Sequence, residues 1–265
     1  MSDNSNNNDG QVTLEVRDGI GWVTLSRPQA RNAMTFTMYA QLQAIFEGIV
    51  PGGDVRALVV TGAGEKAFAA GTDISKFRDF TTPQHALDYE RTMDVVLGSI
   101  ERCPVPTVAA IAGACTGGGA AIAACCDLRI ASRDIRFGFP ISRTLGNCLS
   151  VANLARLSDL IGVARTKEII FTSRLIEADE ALASGLVSEL LDDHASLMSR
   201  AAALANVVAS HAPLTLRATK EGLRRLRTAS QVQDDDLIVS CYMSEDFREG
   251  LEAFLGKRPA NFKGR

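Results

Sequence analysis

The feature that most restricts the fold is a run of 24 uncharged residues from Cys103 to Cys126, with Gly117, Gly118 and Gly119 in its middle. On length alone it could cross a bilayer. Pro104 and Pro106 stand at its start, however, the glycines interrupt it, and Leu and Phe are missing from it. The run therefore predicts a buried strand over Thr107–Ile111, a glycine turn and a buried helix to about Cys125, and no membrane segment. Charge-free backbone buried on all sides needs close neighbours, and 36 Ala and 22 Gly against 15 aromatic residues supply the small side chains.

The flanking segments place this run in an α/β chain. Val12–Val16 and Ile20–Leu25 alternate or are β-branched around Asp18-Gly19, a two-residue hairpin signal. Thr35 is placed to cap a helix carrying Leu42, Ile45, Phe46 and Ile49 on one face. A buried strand is expected from Asp54 to Thr61, a helix after Thr82-Pro83, strands near Leu128–Ala131 and Ile135–Gly138, and mostly helix beyond Ser150. Within that last part, a helix over Ile176–Val187 stops at Gly185 and another starts at Pro213. No linker or fixed-period repeat divides the chain, so 265 residues read as one domain behind a disordered tail over residues 1–10. That N-terminal stretch has no basic or apolar region, so neither a signal peptide nor a transit peptide is expected there. The formal charge of −3 excludes the basic stripe of a nucleic-acid binder. Six cysteines in neither zinc nor disulfide-scaffold spacing read as reduced thiols of a cytoplasmic protein.

Chemistry is expected at two turns that follow buried strands, Phe68–Ile74 and Gly113–Gly119. Glycines at a helix start let N–H groups converge, and the helix dipole adds positive potential, which suits a phosphate or a developing oxyanion. The plainer alternative is that the glycines only let strand and helix pack closely. The spacing fits neither dinucleotide nor P-loop signatures. No His, Cys and carboxylate cluster has metal-ligand spacing, so no metal is expected, and His85 reads as a surface helix residue.

Several ordered motifs together resemble the crotonase (enoyl-CoA hydratase/isomerase) superfamily. They are Arg27–Met34 (RPQARNAM), Lys66–Ile74 (KAFAAGTDI), Gly113–Gly119 (GACTGGG) with Cys126-Asp127, the Ile176–Val187 run, and the tail from Glu245 through Phe262. The resemblance implies a core of stacked ββα units over 11–190 and a helical trimerisation region of the same domain over 191–265. It implies an acyl-CoA substrate, with coenzyme A entering as part of that substrate and no separate cofactor, and a homotrimer or dimer of trimers. By position, the backbone N–H groups of Thr72 and Gly118 are the oxyanion donors, and Ala30, Arg31, Ala70, Gly71, Asp73, Ile74, Gly117 and Arg143 fall at substrate-binding places.

The same resemblance exposes a departure. Hydratases of the family carry two glutamates, and the corresponding places here hold Ala121 and Ile141 or Ser142. Hydration needs groups that activate water and protonate carbon, so a different enolate reaction is expected, for example decarboxylation with Arg143 holding a substrate carboxylate. A CoA-thioester binding protein without activity is the alternative. Asp73 and Asp127 are read as turn residues rather than bases, and Cys148 as an inert thiol rather than a nucleophile. Arg27, Arg31, Lys66, Lys257 and Lys263 are the cations available to CoA phosphates, or else solvated surface charges.

Overall fold

A computed structural model describes residues 9–229 and 235–263. Residues 1–8 of the expected tail thus lie outside the described residues, while the Asp9 carbonyl accepts a bond from Thr35 Oγ1 at 2.9 Å. The chain opens with a hairpin in which β1 (Gln11–Arg17) pairs antiparallel with β2 (Ile20–Ser26). Asp18 and Gly19 turn it with φ of 51° and 79°, the left-handed pair that matches strand twist. Thr35 accepts from the Met38 N–H and so caps α1 (Phe36–Glu47).

Three β-β-α units follow. The first is β3 (Ala57–Gly62), β4 (Ala67–Ala70) and α2 (Pro83–Glu101). The second is β5 (Thr107–Ile111), β6 (Ala114–Thr116) and α3 (Gly118–Cys125). The third is β7 (Leu128–Ser132), β8 (Arg136–Gly138) and α4 (Val151–Thr172), the last broken at Gly162. After them come α5 (Ala178–Ala183), β9 (Glu189–Leu191), α6 (His194–Ala209), α7 (Pro213–Thr228), α8 (Asp235–Tyr242) and α9 (Glu245–Leu255).

Each unit sends its first strand to one sheet and its second to another. The larger sheet runs β1-β2-β3-β5-β7-β9 and the smaller β4-β6-β8, all pairs after the hairpin being parallel. The strand expected from Asp54 begins at Ala57, because its ladder partner on β2 begins at Ile20. Both β4 and β6 lie in stretches that sequence reads as turns.

Both faces of the larger sheet are covered at its centre, which is why β3 and β5 are buried along their whole length and read as near-continuous apolar runs. Ala57, Val59, Val108 and Ala110 pack with Leu197, Ala201 and Ala205 of α6. The alternate residues Leu58, Val60, Ala109 and Ile111 join the core that contains α1, α2 and α3. Spacing of four along α6 puts its small residues on one stripe and lets the helix lie close to the sheet.

Asp127, two residues after α3, ties this core to α7. Its Oδ2 accepts from the Thr107 N–H at 2.8 Å and hydroxyl at 2.9 Å, and pairs with Lys220 Nζ at 2.5 Å. Lys220 also donates to the Val105 carbonyl at 2.9 Å. Asp127 is thus a tether and is absent from the cavity described below. Asp127→Asn is expected to cost about 1–3 kcal/mol in urea unfolding through loss of this part-buried pair, with catalytic rate constants unchanged.

Among the described residues no helix is long and apolar enough to cross a membrane. The six thiols are free, four of them buried. Burial pushes the Cys103 thiol up to about 11 and the Cys126 thiol up to about 12, from 9.0, and the Tyr39 phenol up to about 12 from 10.0. The unfolded chain loses these protons near the ordinary values, so above pH ~9 it binds fewer protons than the folded chain and stability falls as pH rises. The stabilisation is complete below pH ~8 and is lost as pH passes through the folded values. Chemical unfolding measured at increasing pH should show that decline, and Cys126→Ala should remove up to about 1.4 kcal/mol per pH unit of its slope.

Candidate active site

Two backbone turns are brought side by side by the smaller sheet. In the β4–β6 ladder Ala70 is paired with Thr116, so Thr72 and Gly118, each two residues on, leave the sheet at the same edge. Gly117 bridges strand to helix at φ 52°, ψ −120°, a conformation open to glycine. A Cβ on Gly119 would stand 2.1 Å from the Ala69 carbonyl oxygen, so only glycine lets α3 begin this close to β4. The tight packing expected of the glycines is therefore present.

The loop from Arg27 to Met34 is laced to the first turn. The Ala70 N–H donates to the Arg31 carbonyl at 3.0 Å, the Met34 N–H to Gly71 at 2.9 Å, and the Asp73 N–H to Met34 at 2.8 Å. Among the described turn and loop bonds, neither Thr72 N–H nor Gly118 N–H donates to a backbone carbonyl. Asn32, 1% exposed, anchors the loop. Its Oδ1 accepts from the Arg27 N–H at 3.0 Å, and its Nδ2 donates to the Ala63 and Ala67 carbonyls at 3.0 and 2.8 Å.

Asp73 caps a short 3₁₀ turn over Ile74–Asp79 by accepting from the Ser75 N–H, and its Oδ2 meets Arg27 Nη1 at 2.8 Å. Burial pushes the Asp73 carboxyl up, but the Ser75 N–H and the Arg27 guanidinium more than offset this and hold it below the usual value. Beside Gly118, the Tyr39 hydroxyl and Thr72 Oγ1 are hydrogen-bonded at 2.8 Å.

These turns open into a cavity of about 210 Å³ that is partly open to solvent. Its walls are largely apolar, with Ile74 and Phe77 from the 3₁₀ turn, Met93 and Leu97 from α2, and Phe139 and Leu145. Ala121 and Ile141 also line it. Among the described lining residues the carboxylate is Glu90, from α2. Glu90 is 5% exposed, and the hydroxyl of Tyr242, 1% exposed, donates to its Oε1 at 2.5 Å.

Of the residues singled out in the sequence, Ala70, Gly71, Thr72, Ile74, Gly117 and Gly118 line the cavity together. Ala30, Arg31 and Asp73 flank it through the lacing loop, and Arg143 is exposed and outside the lining. His85 is exposed, its Nδ1 accepting from the Thr81 N–H. Cys148 lines the cavity, but its thiol, hydrogen-bonded to Cys241 and part-buried, is held above the usual range and makes a weak nucleophile. Arg27 is engaged with Asp73, whereas Arg31, Lys66, Lys257 and Lys263 are exposed.

Glu90, Tyr242 and Tyr39 were missed by sequence reasoning. The available signal for Glu90 was its spacing with Met93, Leu97 and Ile100, which puts an acid on the buried stripe of α2. Replacing Asn32 by Ala should cost about 2–4 kcal/mol in thermal or urea unfolding, since it leaves one N–H and two carbonyls unpaired in the interior; Asn32→Asp, which keeps only the acceptor, should be nearly as harmful.

A family model described as enoyl-CoA hydratase/isomerase matches residues 15–265. A short-chain-enoyl-CoA hydratase of Clostridium acetobutylicum is 34% identical over 260 residues, covering 96% of this chain and 98% of the relative. The crystal structure of an enoyl-CoA hydratase/carnithine racemase from Magnetospirillum magneticum superimposes with a TM-score of 0.78 at 34% identity, covering 96% of each chain. A methylmalonyl-CoA decarboxylase in complex with 2-nitronate-propionyl-CoA superimposes with a TM-score of 0.86 at 26% identity, covering 96% of this chain and 98% of the other.

Proposed function

The chain belongs to the enoyl-CoA hydratase/isomerase family of acyl-CoA enzymes, and from that premise we propose that it stabilises a thioester enolate between the N–H groups of Thr72 and Gly118. The observation that carries this reading is the Ala70–Thr116 register, which aligns the two turns at the mouth of an apolar cavity. A thioester carbonyl seated there gains negative charge on oxygen as the enolate forms. Donors already held by the lacing loop and by the start of α3 need no reorganisation to meet that charge, and α3 adds its positive end.

The reaction itself is proposed to differ from two-glutamate hydration. Ala121 and Ile141 offer neither a base for water nor an acid for carbon. The likeness to a methylmalonyl-CoA decarboxylase favours decarboxylation as a second reading, since loss of CO2 leaves an enolate without a base. Exposed Arg143 does not support it as a carboxylate anchor. Arg31 and Lys66 are the exposed cations beside the lacing loop that suit CoA phosphates. Exposed Leu214, Leu223 and Leu226 on α7 support a trimer or dimer of trimers, and free thiols support a reducing cytoplasm.

Incubation with crotonyl-CoA, a 3-enoyl-CoA and malonyl-type CoA esters, with products read by mass spectrometry, separates these readings. Turnover of the second or third class is expected, with crotonyl-CoA hydrated far more slowly. Dominant crotonyl-CoA hydration overturns the mechanism, and tight binding without turnover favours a binding protein. A Cβ on Gly118 would meet the Tyr39 hydroxyl at 2.0 Å, so the donor is best deleted as Gly118→Pro in a Tyr39→Phe background. Relative to Tyr39→Phe alone, kcat should fall roughly 10²–10³-fold.

A further inference from the structure

We infer that Cys148 and Cys241 form a thiol modification site that takes a peroxide, with Cys241 attacking it and Cys148 closing a reversible disulfide across the cavity wall. The pair lies where the loop between β8 and α4 meets α8. Cys148 lines the cavity, and its Sγ donates to the carbonyl of Leu237 on α8 at 3.8 Å. Cys241 is four residues further along the same helix, so its side chain shares a face with Leu237 and leans back over that turn. The two sulfurs converge on one spot, where they are hydrogen-bonded to each other and rest on the apolar cluster of Ile238, Tyr242 and Phe247. Both residues are part-buried rather than sealed, and Leu237 beside them is 54% exposed. Cys103, Cys115, Cys125 and Cys126, by contrast, are buried.

The surroundings divide the roles. The bond from Cys148 favours thiolate at Cys241 and lowers its thiol to about 7 from 9.0, against the opposing effect of burial. Cys148 keeps its proton, because Cys241, burial and the Glu90 charge all push its thiol up. A thiol that titrates near ambient pH is the best attacking group. In the first step the Cys241 sulfur attacks one peroxide oxygen. The O–O bond breaks, the S–O bond of a sulfenic acid forms, and the other oxygen leaves as hydroxide and takes a proton from solvent. In the second step the Cys148 sulfur attacks that of Cys241, the S–S bond forms, and the sulfenic hydroxyl leaves with the Cys148 proton as water. Two thiols are oxidised and one peroxide is reduced to two waters. Disulfides of this kind in a reducing compartment are transient and serve sensing. Once the bond ties the wall to α8, that wall no longer yields to an entering acyl group, so binding weakens; this consequence rests on the acyl-CoA reading above.

The test treats the reduced full chain with hydrogen peroxide, alkylates it with N-ethylmaleimide in denaturant and maps peptides without reductant. A cross-linked peptide joining Cys148 to Cys241, lighter by two hydrogens, is expected, and dithiothreitol should return both thiols. The buried cysteines should be recovered alkylated. In Cys148→Ala, dimedone should trap a sulfenic acid on Cys241, whereas in Cys241→Ala the Cys148 thiol should persist. Before oxidation, iodoacetamide at pH 7 should alkylate Cys241 roughly 10-fold faster than Cys148, and the Cys241 rate should drop in Cys148→Ala. Calorimetric affinity for butyryl-CoA should fall on cross-linking and recover on reduction. Absence of the cross-link, a sulfenic acid on Cys148 in Cys241→Ala, or equal butyryl-CoA affinity in both forms overturns the inference and leaves the acyl-CoA reading intact. A cross-link in a chain that binds no acyl-CoA in either form sinks that reading and leaves the thiol site standing.

Discussion

The approach of Gly119 to the carbonyl of Ala69 is the contact on which the rest of the molecule depends. With any side chain there, α3 would have to move away from β4, and the ladder that pairs Ala70 with Thr116 would open. The two turns would then no longer share an edge. Because β5, β6 and α3 are buried on nearly every side, that displacement could not be absorbed by solvent. It would propagate into the larger sheet and into α6 behind it. The uncharged run from Cys103 to Cys126 is uncharged for this reason: it has almost no surface on which to place a charge.

Much of the fold was legible because the deciding chemistry is local. Asp18-Gly19 dictates its own turn, Thr35 and Thr82 satisfy the first N–H groups of the helices they precede, and Thr107–Ile111 has no polar face. The smaller sheet was not legible, since β4 and β6 have four and three residues, too few to show a period. Their pairing is decided by what lies beside them. Nor could periodicity reveal that α6 covers the back of the larger sheet, because a stripe of Ala states only that something comes close.

The candidate site divides the same way. Thr72 and Gly118 were singled out through motifs, and because the proposed role rests on their backbone, the identity of their side chains mattered little. Glu90 and Tyr242 are 152 residues apart, and neither has a neighbour in sequence that marks it. An acid among helical polar residues ordinarily reads as surface, and only packing against the C-terminal helices makes Glu90 interior. Sequence shows Ala at 121 and Ile at 141, but could not show that a carboxylate enters the cavity from α2.

That separation along the chain also bears on synthesis from the ribosome. The paired N–H groups are encoded by residue 118, whereas Tyr242 and Phe254 of the cavity wall lie on α8 and α9. A nascent chain therefore holds both glycine-bearing turns long before it owns the wall that gives the cavity its shape. The two sides of the cavity are thus written in different parts of the message, and α8 and α9 complete the enclosure.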